Sequence, residues 1–469
     1  MKSSLWRSAP LISLCGLAAI LAAFACANSA PTSSSAPALA ASTPTPPAPV
    51  LPPLSPDIPF DVTVPSQPPP TLDSLQHDFD VMSWETFVAL NWPVLANGQP
   101  DPTQQPGENK DNSTFWQTWK TAQEVFLPNG APPTPWGTPL ASSPLPALCR
   151  DQLQPGEHIL TQVGKTPNLL TESIQPFNTG PLIDQNGRYA RFEILMNQTM
   201  FDHIVANKLY SKKAQATVTS VVFPCGTTDA KDPQVGTIMV KASWKILSPA
   251  EIQGGRFHMM KALIYTPPSA NPPIAEKCEH ATVGLVGLHM VHKTKDAAQW
   301  VWSTFEHIDN CPTEGQSTAG HAYSFYNPAT PDAAINTPPA RPWNPNNTEP
   351  PARRPQIVRI LPIDQPTQQL NASYQAALRA VNPASVWQYY ELVSTQWPTQ
   401  PAPSCDVETS APTDMTGTPA PQFLGNSTLE SYIQGKVPNV SSSCIECHLN
   451  ATTTTHVFSD FTYLLERAQ

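Results

Sequence analysis

Two thiols and an imidazole stand in one short run near the end of the chain, Cys444-Ile445-Glu446-Cys447-His448, a C-x-x-C-H pattern. Thiols separated by two residues lie one backbone turn apart, which suits addition across the two vinyl groups of a haem. The histidine that follows directly then faces the iron as an axial ligand. The run occurs once, so it implies one covalently attached haem c. Cys444 and Cys447 would be the thioether sites and His448 the proximal iron ligand.

The ligand on the other face of the iron must come from elsewhere. His289 and His292 share one strand-like run (GLHMVHKT) and, being three apart, point to opposite faces of it, so at most one meets a given haem. His307 (TFEHID) shares a strand face with Val301 and Phe305, the apolar side, where a histidine needs a hydrogen-bond partner or a metal. Its plain reading is a satisfied core residue. Met415 stands in the loop before the haem run, and His456 lies in a Thr-rich stretch eight residues beyond His448. An open sixth position is the remaining alternative. Cys278, His280, His289, His292 and His307 fit no zinc spacing and are read as structural. No G-x-S-x-G, H-E-x-x-H, P-loop or G-x-G-x-x-G pattern is present.

Haem attachment of this kind takes place outside the cytoplasm, and the N-terminus reads accordingly. Lys2 and Arg7 precede an apolar run from Leu11 to Ala25, the grammar of a signal peptide over residues 1–27. Ala25-Cys26-Ala27 reads as an ordinary cleavage site, whereas Ala23-Phe24-Ala25-Cys26 reads as a degenerate lipobox with Cys26 as lipid anchor. Residues 28–72, mostly Ala, Pro, Ser and Thr, read as an extended tether. No later run is apolar and long enough to span a bilayer. The expected location is the periplasm or cell envelope.

The chain has 26 basic and 36 acidic residues; without Lys2 and Arg7 the balance is 24 minus 36, or −12. That charge argues against nucleic-acid and anionic-lipid partners and suits a basic redox partner protein. With 57 Pro, 20 Gly and 13% charged residues, a loop-rich extracytoplasmic body is expected. Apart from Cys15, Cys26 and the haem pair, five cysteines remain (Cys149, Cys225, Cys278, Cys311, Cys405), expected as disulfides with one left over. Cys278 and Cys311 flank adjacent strands and form the first pairing expected.

These groups need a scaffold. Helical spacing marks residues 75–91, 113–126, 199–211, 368–381, 427–434 and 458–467. Strand patterns mark 190–196, 237–246, 256–266, 281–293, 299–308, 356–361 and 385–393, with alternation cleanest from Thr237 to Ile246. The expected fold is α+β and β-rich: an antiparallel sheet body, sandwich or barrel-like, over 73–397, with flanking helices. A linker over 398–422 leads to a small helical haem-attachment segment, 423–469. Only 21 residues follow His448, too few to wrap a haem, so the upstream body must supply much of the pocket.

Over 444–448 the chain resembles c-type cytochromes. The runs SCIECH, FTYLLERAQ, SWETFVALNWP, VGLHMVHKT and QWVWSTFEHIDN are similar to a group of bacterial secreted proteins classed with the cytochrome c family. The resemblance implies thioether sites at Cys444 and Cys447 and a proximal ligand at His448. The C-terminal position of the motif departs from ordinary cytochromes. Electron transfer by a mono-haem protein is the expected function. A haem-dependent peroxidase or oxidase, with the β body holding substrate, and a haem-based sensor are the alternatives.

Overall fold

A computed structural model describes residues 51–65, 69–107, 113–138, 146–154, 156–161, 180–229, 231–330, 335–346, 354–401, 405, 419–434 and 443–469. Its centre is a nine-stranded sheet: β1 (Lys120–Thr121), β2 (His158–Leu160), β3 (Arg191–Met196), β4 (Ile238–Ile246), β5 (Met259–Thr266), β6 (Lys277–His292), β7 (Val301–His307), β8 (Tyr390–Pro398) and β9 (Pro419–Ala420). The main path runs β1-β3-β4-β6-β7-β8-β9, all antiparallel. The first half of the long β6 pairs with β5, to which β2 adds in parallel. The fold is thus β-rich α+β around a large antiparallel sheet.

One face is covered by α1 (Leu72–Leu90), and further along the chain by a second long helix, Gln365–Val381. Thr71 and Ser74 form a capping box that starts α1. Trp84 and Phe87 of α1 meet Phe305 and the even-numbered residues of β4, Ile238, Val240, Ala242 and Trp244, in one core. Alternation in β4 predicts one wet face, yet the strand is buried on both. Met239 faces a second core, and Lys245 is buried between Asp184 and Glu251. Loops and the C-terminal segment cover the face that carries the polar residues.

Several expectations are corrected. Residues 113–126 are not one helix: a 3-10 turn (Phe115–Thr118) leads into β1, where Lys120 pairs with Met196, and Thr121 then caps Ala122–Val125. Residues 356–361 make only isolated bridges, Gln356 with Ile335 and Arg359 with Thr313. Segment 427–434 is a run of turns, and the tail coils as a 3-10 turn, Tyr463–Arg467. Residues 51–64, assigned by composition to the tether, pack on the body through Leu51, Leu54, Ile58 and Val62. The disulfides are Cys149–Cys278 and Cys225–Cys405, not Cys278–Cys311. Cys311 is buried outside both, beside the charged cluster of Glu306 and Arg359. Among the described residues no helix is long and apolar enough to cross a membrane. Cys26 lies outside them.

The sheet is docked tightly by segment 419–434. Asn426 donates to Thr304 Oγ1 (3.1 Å) and to the Phe305 carbonyl (3.0 Å). A Cβ on Gly287 would come 2.1 Å from Thr428 Oγ1, so β6 and this segment need glycine there. Gly287→Ala is expected to cost about 1–3 kcal/mol by overpacking. Urea denaturation measures it, and a change within 0.5 kcal/mol on the order of a neutral surface substitution would refute the close approach.

Candidate functional site

The C-x-x-C-H run folds as a five-residue helix, Cys444–His448. Ser443 caps it, its Oγ accepting from the Glu446 N–H. Positions 444, 447 and 448 are one helical turn apart and share a side of the helix, while Ile445 turns inward and is fully buried. Ile445 enters a core with Met196, Met239, Val291 and Trp302 from the sheet, Trp300 just before β7, and Phe461, Leu464 and Leu465 from the tail. The Ile445 N–H donates to Gln396 Oε1 of β8 (2.8 Å), and Gln396 Nε2 donates to the Pro421 carbonyl (2.7 Å). One β8 side chain therefore ties the helix start to the segment before it. Cys444 packs between that core and Ile363, Val393 and Leu424.

His448 is half-buried between two aromatic rings, Trp302 at 4.4 Å and Tyr463 at 5.2 Å. Its Nδ1 lies 2.7 Å from the Phe461 carbonyl. That oxygen accepts only, so Nδ1 carries the proton and the ring lone pair sits on Nε2. A histidine that gives one N–H to a backbone carbonyl is the arrangement that fixes tautomer and ring orientation in iron and zinc ligands. Tyr463 Oη donates to the Cys447 carbonyl (2.9 Å). Burial, with the Cys447 thiol and Glu466 adding to it, pushes the Tyr463 phenol up to about 12. It stays a neutral donor at physiological pH.

The residues present fit covalent haem. Cys444 and Cys447 are partly exposed and stand outside both disulfides, and His448 has its Nδ1 proton already engaged. Sequence patterning singled out Phe461 and Leu464 only as an apolar face. It missed Gln396, Tyr463 and the carbonyl of Phe461, because those contacts join residues far apart or use the backbone.

The structure separates the distal candidates. His307 is fully buried, its Nε2 facing the Arg256 carbonyl (3.2 Å) and its Nδ1 accepting from the Asp309 N–H (3.1 Å). Burial pulls its pKa down to about 4. It is a satisfied core histidine. His289 lies on the sheet face of Val291 and Trp302, the side of the C-x-x-C-H helix, but Thr304 Oγ1 (2.6 Å) and Glu430 (3.1 Å) hold its two nitrogens. His292 lies on the opposite face, level with Ile238 and Val301, so the sheet stands between it and His448. His456 is exposed in the turn between Thr452 and Phe458. Met415 lies outside the described residues.

Cys278 is consumed by a disulfide, and among the described residues no group of three His, Cys, Asp or Glu is arranged to hold a metal ion. A cleft of about 340 Å³ opens beside β1, β2 and β3. Among its lining charges, Lys120 pairs with Glu124 (3.2 Å) and His158 with Glu193 (2.8 Å), while Glu157 meets His280 outside it (3.0 Å). No protein-family model, curated protein or solved structure matches this chain.

Proposed function

We propose that the chain is an exported mono-haem c-type protein that carries electrons. Cys444 and Cys447 form its thioether bonds and His448 is its proximal axial ligand. The observation that carries this reading is the His448 ring, with Nδ1 bonded to the Phe461 carbonyl and aromatic rings on two sides, beside two cysteines that take part in neither described disulfide. The bound group supplies one reversible electron. The protein's own part is to hold His448 in one tautomer, to shield one side of its ring with the buried Trp302, and to anchor the helix by Ile445 and Gln396. The resemblance to secreted cytochrome c family proteins, the signal-peptide pattern and the acidic charge support export to the periplasm or cell envelope and a basic redox partner protein. Cys26 is the proposed lipid anchor.

Residues 423–469 serve in this reading as the haem-attachment segment, resting on the β body. The His158–Glu193 pair, which brings β2 back to β3, supports a barrel-like closure of that body. With His289 and His307 engaged and His292 behind the sheet, the second axial position falls to Met415 or His456, or stays open.

The test is to co-express the chain with cytochrome c maturation machinery and record oxidised and reduced spectra with and without carbon monoxide. A low-spin haem unmoved by carbon monoxide is the expected result. A high-spin haem that binds it would replace electron transfer with the oxidase, peroxidase or sensor reading.

A further inference from the structure

Backbone strain collects behind His448. Seven described non-glycine residues have positive φ, and four of them, Trp300, His456, Asp460 and Phe461, lie in or against the segment that backs the C-x-x-C-H helix. Asp460 (φ 50°) and Phe461 (φ 65°) are consecutive. A non-glycine residue in this region is strained and persists only where its surroundings over-determine it. Here the outcome of the strain is visible: the Phe461 carbonyl is turned onto His448 Nδ1.

What holds the turn is a buried ion pair. The Asp460 carboxylate accepts from the Phe223 N–H (2.7 Å) and from the ammonium of Lys293. Lys293 is 2% exposed and follows directly on β6, its N–H bonded to the Thr237 carbonyl (2.9 Å). Ser459 adds a hydroxyl bond to the Thr462 carbonyl (2.6 Å), and the Phe461 ring is buried in the core under the helix. A buried lysine–aspartate pair is costly to desolvate and is poor value as a source of stability alone. Its position gives it another use.

We propose that Lys293 and Asp460 are positioning residues for the proximal histidine: they clamp the strained turn so that the Phe461 carbonyl stays on His448 Nδ1 and sets the donor strength of the ring. This rests on the haem-ligand reading of His448. Loss of such an outer contact weakens a metal–ligand bond by roughly 10–100-fold. A weaker imidazole donor disfavours ferric more than ferrous iron. Each tenfold difference between the two states raises a one-electron potential by about 59 mV.

The sign separates a clamp from a bare charge. Removing one negative charge (Asp460→Asn) raises a potential, and removing one positive charge (Lys293→Met) lowers it, if only the field at the iron matters. If the clamp matters, both variants raise it. Asparagine tolerates positive φ and still accepts from the Phe223 N–H, so Asp460→Asn keeps the turn foldable. Lys293→Arg keeps the charge and is expected to restore most of the wild-type value.

The experiment is spectroelectrochemical titration of the haem-loaded wild type and the three variants, each first checked for covalent haem. The expected result is an upward shift of about 59 mV or more, tenfold or greater by the same conversion, in both Asp460→Asn and Lys293→Met, with Lys293→Arg near wild type. Shifts of opposite sign, or none, overturn the clamp. A wild type without covalent haem overturns instead the haem-ligand reading beneath it.

Discussion

His292→Leu is expected to make this protein more stable, and increasingly so in acid. His292 is 3% exposed, and neither ring nitrogen has a hydrogen-bond partner among the described residues. An unsatisfied buried polar group costs about 1–3 kcal/mol, which leucine would recover at neutral pH. The acid effect follows from burial, which lowers the imidazole from 6.5 to about 3. Between those values the unfolded chain binds a proton that the folded chain refuses, so stability falls as pH falls, by about 1.4 kcal/mol per pH unit from this one group. At pH 4 the variant should therefore lead the wild type by about 3 kcal/mol more than it does at pH 8. Urea denaturation across that range measures the difference. A destabilised variant with an unchanged acid slope would show that His292 is neither orphaned nor neutral. If the chain carries haem as proposed, an unchanged spectrum in the same variant would fit the place of His292 behind the sheet.

Arg359→Met is expected to destabilise strongly. Glu306 is fully buried in β7 and bonds Arg359 (3.0 Å) and the Ser427 N–H (2.6 Å), while Arg359 also meets Glu391 (2.9 Å). Burial alone would lower the Arg359 pKa, but Glu306 and Glu391 outweigh it and hold it raised. Removing the arginine strands Glu306 as a buried charge, at a cost of about 3–5 kcal/mol. Glu306 also carries segment 419–434, whose Leu424 packs beside Cys444. The loss should therefore loosen the C-x-x-C-H helix before global unfolding, seen as faster amide exchange at Ile445 than elsewhere in its core. A loss below about 1 kcal/mol would place the pair among ion pairs of little weight.

Local patterning made much of the scaffold legible. The alternation of β4 and the helical spacing of α1 survive folding because each has a face whose apolar residues agree with the backbone period. Where tertiary contacts override local preference, reading failed. Lys120 and Thr121 leave a helical pattern to pair with Met196 and Leu195 at a sheet edge. Gln356 and Arg359 leave a strand-like run because Arg359 is needed by Glu306. The second burial of β4 draws on loops and on tail residues as distant as Phe461 and Leu465, and Cys278 pairs with a cysteine 129 positions away, which no local period encodes.

The candidate site divides the same way. The C-x-x-C-H run stands out in the sequence because its spacing is the one that thioether attachment of a haem would require. Its support does not. The Phe461 carbonyl has no side-chain signature, Gln396 resembles any strand glutamine, and Lys293 and Asp460 are 167 residues apart. The plain reading of His307 as a satisfied core histidine agrees with its two hydrogen bonds. Strand parity alone was enough to set His289 and His292 on opposite faces.

Whether Cys444 and Cys447 carry haem is settled most directly by intact-mass measurement after acid denaturation. The wild type and the double variant Cys444→Ala, Cys447→Ala would be expressed side by side with cytochrome c maturation machinery. The wild type is predicted to retain the mass of one haem and the double variant none. A wild type without bound haem, or equal retention by both proteins, would contradict the assignment.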